Sequence, residues 1–304
     1  MKKYAYILLV VMMVACQQKE KPKNAKLQIV TTTTMITDLV KNIVGDKIEV
    51  KGLMGAGVDP HLYKASEGDV SKLFNADIII YNGIHLEGKL EEVFEKMRYQ
   101  NKKTTAVADA IDKSNLIESE FFASNYDPHI WFDISNWEII TKYLVDQLSE
   151  FDSKNAKFYQ ENGNEYLKKL AELKTTITEL IDPLPVEKRI LVTAHDAFNY
   201  FGKAFQFNVV GLQGLSTATE AGVKDVQKMA AFIMEKNVKA IFIESSVPKR
   251  TVEALQEAVR YKGHEIVIGG TLYSDALGDY GTIEGTYIGM YKHNVKIIIS
   301  SLQK

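Results

Sequence analysis

The chain has 304 residues, of which 46% are hydrophobic and 25% are charged, so its composition is that of a globular protein rather than a disordered or fibrous one. Its 37 basic and 39 acidic residues give a formal net charge of −2, which offers no electrostatic reason to expect nucleic acid or an acidic membrane surface as a partner. The length fits one large domain or two modest ones.

The N-terminus has the pattern of a bacterial lipoprotein signal. Lys2 and Lys3 precede an apolar run (4–14) that is too short to span a bilayer, and Cys16, the only cysteine, follows shortly after it. We expect a signal peptide over residues 1–15, which would place the protein outside the cytoplasm. Met13 stands where such signals usually have Leu, and the alternative is an ordinary signal with an incidental cysteine.

Lipidation of Cys16 would anchor the chain to a bacterial membrane, at the periplasm or the cell surface. Residues 16–25 are polar and rich in lysine, as expected for a flexible tether. An acylated Cys16 leaves no thiol for a disulfide or a metal ligand. A metal site in this chain would therefore use histidines and carboxylates.

From residue 26 onward, short β-branched runs alternate with amphipathic stretches, a pattern typical of α/β folds with mostly parallel sheets. Ser66 with Asp69, and Ser135 with Glu138, have the spacing of capping boxes at helix starts. The predicted strands are 27–32, 48–54, 76–82, 189–193, 238–244 and 265–268.

One long helix is predicted in the middle of the chain, over residues 153–183. Apolar side chains recur there at steps of three, four and seven, and Pro183 ends the pattern. We expect this helix to join an N-terminal lobe (26–152) to a C-terminal lobe (184–304), each a mostly parallel sheet flanked by helices. The alternative is a long helix within a single domain.

Two of the six histidines occur in the same tripeptide, Asp-Pro-His, ending at His61 and His129. Proline fixes its own φ and favours an extended residue before it, so each imidazole follows a stiff turn. Such a turn suits a metal ligand, because less conformational freedom is lost on binding. Asp59 and Asp127, which open the two tripeptides, are candidate outer acceptors that orient the rings.

His195 and Asp275 supply two further candidate ligands, and both follow predicted strands of the C-terminal lobe. The carboxyl ends of strands are where open α/β sheets bind ligands. With two candidates in each lobe, a cleft between the lobes is implied. Three imidazoles and a carboxylate suit Zn²⁺ and similar ions, and four protein ligands favour holding an ion over catalysis. The alternative is that these histidines are structural or lie on the surface.

Several segments resemble the TroA-like metal solute-binding proteins of ABC importers, and they occur in the family's order along nearly the whole chain after the signal. They are 59–63, 76–83, 127–131, 194–201, 244–247 and 269–275. The resemblance implies two α/β lobes joined by a long backbone helix, and delivery of a metal to a permease driven by an ATPase. By position, it implies His61, His129, His195 and Asp275 as the ligands.

The cues for the metal disagree. In this family His at the position of His195 is common in zinc or zinc/manganese receptors, whereas a His-rich loop often found in zinc-dedicated members is absent from 114–126. We expect one Zn²⁺ or Mn²⁺ ion, with Fe²⁺ less favoured. An N₃O site generally binds Zn²⁺ more tightly than Mn²⁺.

Two other functions compete with metal capture. A zinc-dependent hydrolase would need a general base such as Glu244, but the chain has no H-E-x-x-H motif, so no enzymatic activity is expected. A surface adhesin would need only the lipid anchor and exposed aromatic patches, without a metal. Glu244 is otherwise a candidate outer acceptor, and His85, His264 and His293 are interpreted as structural or solvated. The protein is expected to be a monomer.

Overall fold

The computed structural model describes residues 26–120 and 122–303. The predicted signal peptide (1–15) and the whole predicted tether (16–25), including Cys16, lie outside the described residues. Among the described residues, no helix combines the length and the apolar character needed to cross a membrane.

The N-terminal lobe is built on a four-stranded parallel sheet in the order β2-β1-β3-β4. Three helices connect or follow these strands, and a fourth helix ends the lobe. The strands are β1 (Gln28–Thr31), β2 (Glu49–Gly52), β3 (Ile78–Tyr81) and β4 (Lys103–Ala106), and the helices are α1 (Thr34–Val44), α2 (Glu67–Asn75), α3 (Glu91–Tyr99) and α4 (Ile134–Phe151).

The C-terminal lobe repeats this topology, with a parallel sheet in the order β6-β5-β7-β8. In both sheets the chain reverses its direction of winding beside the first strand, which is where open α/β sheets have a ligand-binding crevice. The strands are β5 (Ile190–His195), β6 (Asn208–Gln213), β7 (Ala240–Glu244) and β8 (Val267–Leu272), and the helices are α6 (Asn199–Phe205), α7 (Val223–Glu235), α8 (Arg250–Tyr261) and α9 (Tyr287–Leu302).

The long helix α5 (Ala156–Ile181) lies between the lobes, as the sequence predicts. Its apolar stripe, which includes Tyr159, Leu170 and Ile177, is fully buried, and the helix packs against α1 and α4 on one side and α9 on the other. At 1.5 Å per residue its 26 residues span about 39 Å. Burial of that stripe joins the two lobes through one continuous hydrophobic core.

The side chains of α9 also connect the lobes. Tyr287 donates a hydrogen bond to the Trp131 carbonyl at 2.7 Å, and Tyr291 donates one to the Phe132 carbonyl at 2.7 Å. In the opposite direction, from the N-terminal to the C-terminal lobe, the Trp131 indole N–H donates a hydrogen bond to the Ser274 carbonyl at 3.0 Å. All of these groups are buried, so the backbone at Trp131, Phe132 and Ser274 is held by contacts between the two lobes.

Some local predictions were wrong. Helix α4 is capped by Asp133, whose carboxylate accepts from the Ser135 N–H at 2.8 Å, so Ser135 is inside the helix rather than its cap. The predicted capping box formed by Ser66 and Asp69, at the start of α2, is confirmed. Strands β4 and β6 have no counterpart among the predicted strands.

Candidate metal centre

The four residues predicted as ligands come together in one buried cluster between the lobes. His195 is the last residue of β5, and Asp275 follows the end of β8. His129 directly precedes a 3-10 turn (Ile130–Phe132) that leads into α4. His61 lies in the long loop between β2 and α2. The fold thus assembles the cluster from four separate segments.

The three imidazole Nε2 atoms converge. The Nε2 atom of His129 lies 3.3 Å from Nε2 of His61 and 3.4 Å from Nε2 of His195. Asp275 occupies the fourth side: its Oδ2 is 3.3 Å from His195 Nε2 and 3.9 Å from His61 Nε2, and its Oδ1 is 3.6 Å from His129 Nε2. A tetrahedral ion with bonds of about 2.0–2.1 Å separates its ligand atoms by about 3.4 Å. The cluster has the dimensions of such a site.

The carboxylate of Asp275 is the clearest sign of a cation. Both of its oxygens are buried, and neither accepts a hydrogen bond of good geometry from another described residue. Burial alone would raise the pKa of Asp275, but the neighbouring imidazoles, His195 first, lower it below the ordinary value for Asp. An ionised, buried carboxylate without hydrogen-bond donors is costly unless a positive charge faces it.

Glu244 holds the imidazole of His195 in position. Its Oε1 accepts from the His195 backbone N–H at 2.8 Å and its Oε2 accepts from ring Nδ1 at 2.5 Å. The two residues end the adjacent strands β5 and β7, at the point where the sheet reverses its winding. A proton held on Nδ1 leaves the Nε2 lone pair for a metal.

The electrostatic surroundings of His195 favour its charged form when no cation is present. Burial alone would lower the pKa of His195, but the carboxylates of Glu244 and Asp275 raise it well above the ordinary value for His. A metal ion must therefore displace a proton from this ring.

His129 is held in the same way by Asp127. Oδ1 of Asp127 accepts from the His129 backbone N–H at 2.9 Å and from its ring Nδ1 at 2.7 Å. The other oxygen, Oδ2, accepts from the Asn199 side chain at 3.1 Å, and the Asp127 carbonyl accepts from the Tyr200 hydroxyl at 3.0 Å. Since Asn199 and Tyr200 belong to α6, the C-terminal lobe orients a candidate ligand of the N-terminal lobe.

His61 is held differently, although its tripeptide is the same. Asp59 accepts from the His61 backbone N–H at 2.9 Å but makes no hydrogen bond to its ring. Its second oxygen accepts from the Thr217 hydroxyl at 2.5 Å, which links the two lobes beside the cluster. Burial lowers the pKa of His61 to about 3, so its ring is neutral.

The remaining histidines stay outside the cluster. His264 and His293 are half-buried, and their Nε2 atoms lie 3.1 Å and 3.2 Å from the carbonyl oxygens of Val238 and Thr271. His85 is also outside, but it lines a cavity that His61 shares.

Two residues that contribute to the site were missed from the sequence. Thr217 has no motif and lies in a loop, so nothing in the sequence connects it with Asp59. Phe122 is in van der Waals range of the site, with its ring edge-on to His61 at 6.4 Å between centroids. Asn199 lies within the segment 194–201, so the family resemblance covered it without assigning it a role.

Comparison with known proteins places the chain among metal-binding proteins of one family. The sequence matches the family described as "ZnuA: Zinc-uptake complex component A periplasmic" over residues 29–301. It is 46% identical over 286 residues to the zinc-binding protein TroA of Treponema pallidum, covering 94% of this chain and 92% of that protein. It is 45% identical to the manganese-binding lipoprotein MntA of Bacillus subtilis, covering 93% and 92% of the two chains.

A more distant relative and a solved structure point to the same family. The manganese ABC transporter substrate-binding lipoprotein PsaA of Streptococcus pneumoniae is 31% identical over the full length of both chains. The solved structure of the periplasmic zinc-binding protein TroA from Treponema pallidum superposes with a TM-score of 0.89 at 47% identity, covering 91% of this chain and 99% of that one.

Proposed function

The chain belongs to the ZnuA family, and we propose that it is the extracytoplasmic substrate-binding protein of an ABC-type metal importer, which captures one divalent transition-metal ion with high affinity and delivers it to the importer's permease. The relatives are named as zinc-binding, manganese-binding and ABC transporter substrate-binding proteins, which supports this role. Hydrolysis of ATP by the importer's ATPase would drive transport.

The observation that carries the proposal is that both Asp275 oxygens lack a hydrogen-bond partner and face three imidazole nitrogens in a fully buried cluster. His61, His129, His195 and Asp275 would hold the ion. The test is calorimetric titration of metal-free protein with Zn²⁺ and with Mn²⁺. We expect one ion bound per chain, and the absence of saturable binding at this stoichiometry would overturn the proposal.

Both Zn²⁺ and Mn²⁺ fit the donor set, and we propose that Zn²⁺ is bound more tightly. Imidazole nitrogens favour Zn²⁺ over Mn²⁺ for a given site, whatever the biological cargo. Relatives named for each metal are almost equally similar, at 46% and 45% identity, so similarity does not choose between the ions. Direct competition, followed by elemental analysis of protein from its own cells, identifies the physiological cargo.

The family is one of substrate-binding receptors, and the geometry gives no support to the alternative of a hydrolase. Glu244, the candidate base, uses both of its oxygens to bind His195, on the side of the ring away from the converging Nε2 atoms. It is therefore not free to activate a water at the metal. An orienting role explains its burial.

We further propose that Cys16 carries a lipid that anchors the protein, and that the protein acts as a monomer. Relatives named as lipoproteins support the anchor. Replacing Cys16 by Ser should move the protein from the membrane fraction to the soluble fraction, and continued membrane retention would contradict the anchor. Light scattering of the released form tests the monomer.

A further inference from the structure

His85 lies beside the metal cluster, in a surface cavity that it shares with His61. The cavity has a volume of about 140 Å³, enough for several water molecules, and Phe122 and Gly88 are among its other lining residues. Lys89 also lines it but is exposed, so water screens its charge. The cavity therefore places a solvent-accessible imidazole next to a buried one.

The ring of Phe122 contacts both histidines. Its centroid is 6.1 Å from that of His85 and 6.4 Å from that of His61, and it meets both rings edge-on. The side chain of His85 is 37% exposed, whereas that of His61 is 2% exposed.

His85 has the same carboxylate arrangement as two of the proposed ligands. Its Nδ1 lies 2.6 Å from Oε1 of Glu91, just as Asp127 holds His129 and Glu244 holds His195. An ionised carboxylate only accepts hydrogen bonds, so Nδ1 is the donor to Glu91 and Nε2 is the ring nitrogen left for a cation. Nε2 makes no hydrogen bond to another described residue and is available to a cation.

The turn that presents His85 is rigid. Ile84 and His85 both have left-handed backbone conformations, with φ of 49° and 60°, which is unusual for residues other than glycine. The buried carboxylate of Glu87 holds the turn by accepting from the backbone N–H groups of Asn82 at 2.7 Å and Gly83 at 3.2 Å. Strained backbone of this kind persists where the surroundings fix it, and it occurs preferentially at functional sites.

The turn is also connected to the cluster. The Asn82 side chain donates to the Pro128 carbonyl at 3.0 Å, directly before His129. Three of the four proposed ligands are almost completely inaccessible, and His61 retains 5% of its surface. An arriving ion therefore meets the cluster on the His61 side, next to the cavity that contains His85.

We propose that His85 is a docking ligand for the incoming metal ion, with Glu91 orienting it, and that the ion passes from His85 Nε2 to His61 Nε2. This inference rests on the proposed function, because it assigns a loading step to the same site. It adds a transient ligand that exchanges one hydration water for one imidazole before the ion is enclosed.

A transient ligand has a distinctive kinetic consequence. It stabilises a state on the path between free and bound ion but is absent from both end states. Its removal raises the barrier equally in both directions, so the association and dissociation rate constants fall by the same factor and Kd is unchanged. A structural residue or a permanent ligand would instead change Kd.

The test is stopped-flow mixing of metal-free protein with Zn²⁺, followed by the fluorescence of Trp131, whose ring lies 5.3 Å from that of His129. Release is measured with excess chelator at saturating concentration. In His85→Ala we expect both rate constants to fall about tenfold, which corresponds to about 1.4 kcal/mol of barrier. Kd should stay the same within twofold.

Two further variants separate the role of the ring from that of the fold. A Cβ at Gly88 would lie 2.7 Å from His85 Nε2, so Gly88→Ala displaces the imidazole without removing it and should slow both rates similarly. His264→Ala, remote from the cavity, is the control and should alter neither rate. Unchanged rates in His85→Ala, or a faster release with a weaker Kd, would overturn the docking role. Failure of the unaltered protein to bind Zn²⁺ would instead overturn the proposed function.

Discussion

Glu244 accepts two hydrogen bonds from His195. One of its carboxylate oxygens accepts from the His195 backbone N–H at 2.8 Å, and the other accepts from ring Nδ1 at 2.5 Å. Backbone and ring are thus fixed by one fully buried side chain. The same two-bond contact joins Asp127 to His129, although there a single oxygen accepts both bonds. Pre-orientation of the rings reduces the conformational freedom that must be lost when an ion binds.

Replacing Glu244 by Gln should weaken Zn²⁺ binding by about 10- to 100-fold, the usual effect of losing an outer carboxylate at a metal-bound histidine. Each Glu244 oxygen accepts one of the two bonds, and Gln replaces one of these oxygens by an NH₂ group, which cannot accept from the N–H or the ring of His195. Competition with a fluorescent chelator measures the change. Glu253→Gln, on the exposed face of α8, is the matched control, and an unchanged Kd in Glu244→Gln would contradict the orienting role.

Removal of a proposed ligand should have a larger effect. We expect His129→Ala and Asp275→Ala to lose stoichiometric Zn²⁺ after purification and dialysis, because a four-ligand site loses a quarter of its donors. His264→Ala, whose ring only bonds the Val238 carbonyl, should keep its metal. Elemental analysis compares the three proteins, and equal metal contents would refute the ligand assignment.

The strongest periodic patterns in the sequence predicted the fold well. The apolar stripe of α5 extends over many turns, so the predicted range 153–183 lies within a few residues of Ala156–Ile181. The strands β4 and β6 were missed, although the other two edge strands, β2 and β8, were predicted. β4 reads Lys-Thr-Thr-Ala, and β6 contains Gly211, whose missing Cβ lets the Asp196 backbone approach closely.

The candidate ligands could be predicted, but the different roles of their neighbours could not. Asp59 and Asp127 open identical tripeptides, yet only Asp127 bonds the ring of its histidine. The difference depends on the C-terminal lobe, which offers Thr217 to Asp59 and Asn199 to Asp127. Contacts between segments more than 70 residues apart are not encoded in local sequence pattern.

The affinity for Zn²⁺ should fall as the pH is lowered from about 7.5 to about 5. The raised pKa of His195 means that a proton competes with the ion for this ring, and protonation strengthens as the pH falls. His61 contributes nothing to this dependence, because its pKa of about 3 keeps it neutral throughout. Fewer than three protons should therefore be released per ion. Titrations in buffers of different ionisation enthalpy count them, and a constant Kd over this range would contradict the argument.

Loss of the contact between Asp59 and Thr217 should speed metal release. Thr217→Val keeps the shape of the side chain but removes the hydroxyl that links the lobes beside His61. A hydrogen bond to a charged group contributes about 1.5–3 kcal/mol, so we expect release to be roughly 10- to 100-fold faster. Chelator-driven dissociation measures this rate, with the exposed Thr219→Val as control. Equal rates in the two variants would show that the contact does not retain the ion.

Asp38 should reduce the stability of the folded protein near neutral pH. Its carboxylate accepts from the Tyr287 N–H at 3.0 Å at the contact between α1 and α9, and burial raises its pKa from 3.8 to about 6. Between these pH values the folded protein keeps a proton that the unfolded chain has released. The free energy of unfolding contributed by this group therefore falls as the pH rises toward 6 and is lowest above it.

Asp38→Asn removes the charge but keeps an oxygen that can accept from Tyr287. We expect it to raise the melting temperature of the metal-free protein at about pH 7.5, by roughly 2–4 °C for each kcal/mol gained, and to have a smaller effect at about pH 4.5. Thermal denaturation followed by circular dichroism at both pH values measures the difference, with the exposed Asp146→Asn as control. A loss of stability of equal size at both pH values would mean that Asp38 is needed for its hydrogen bonds, and that its buried charge does not oppose folding.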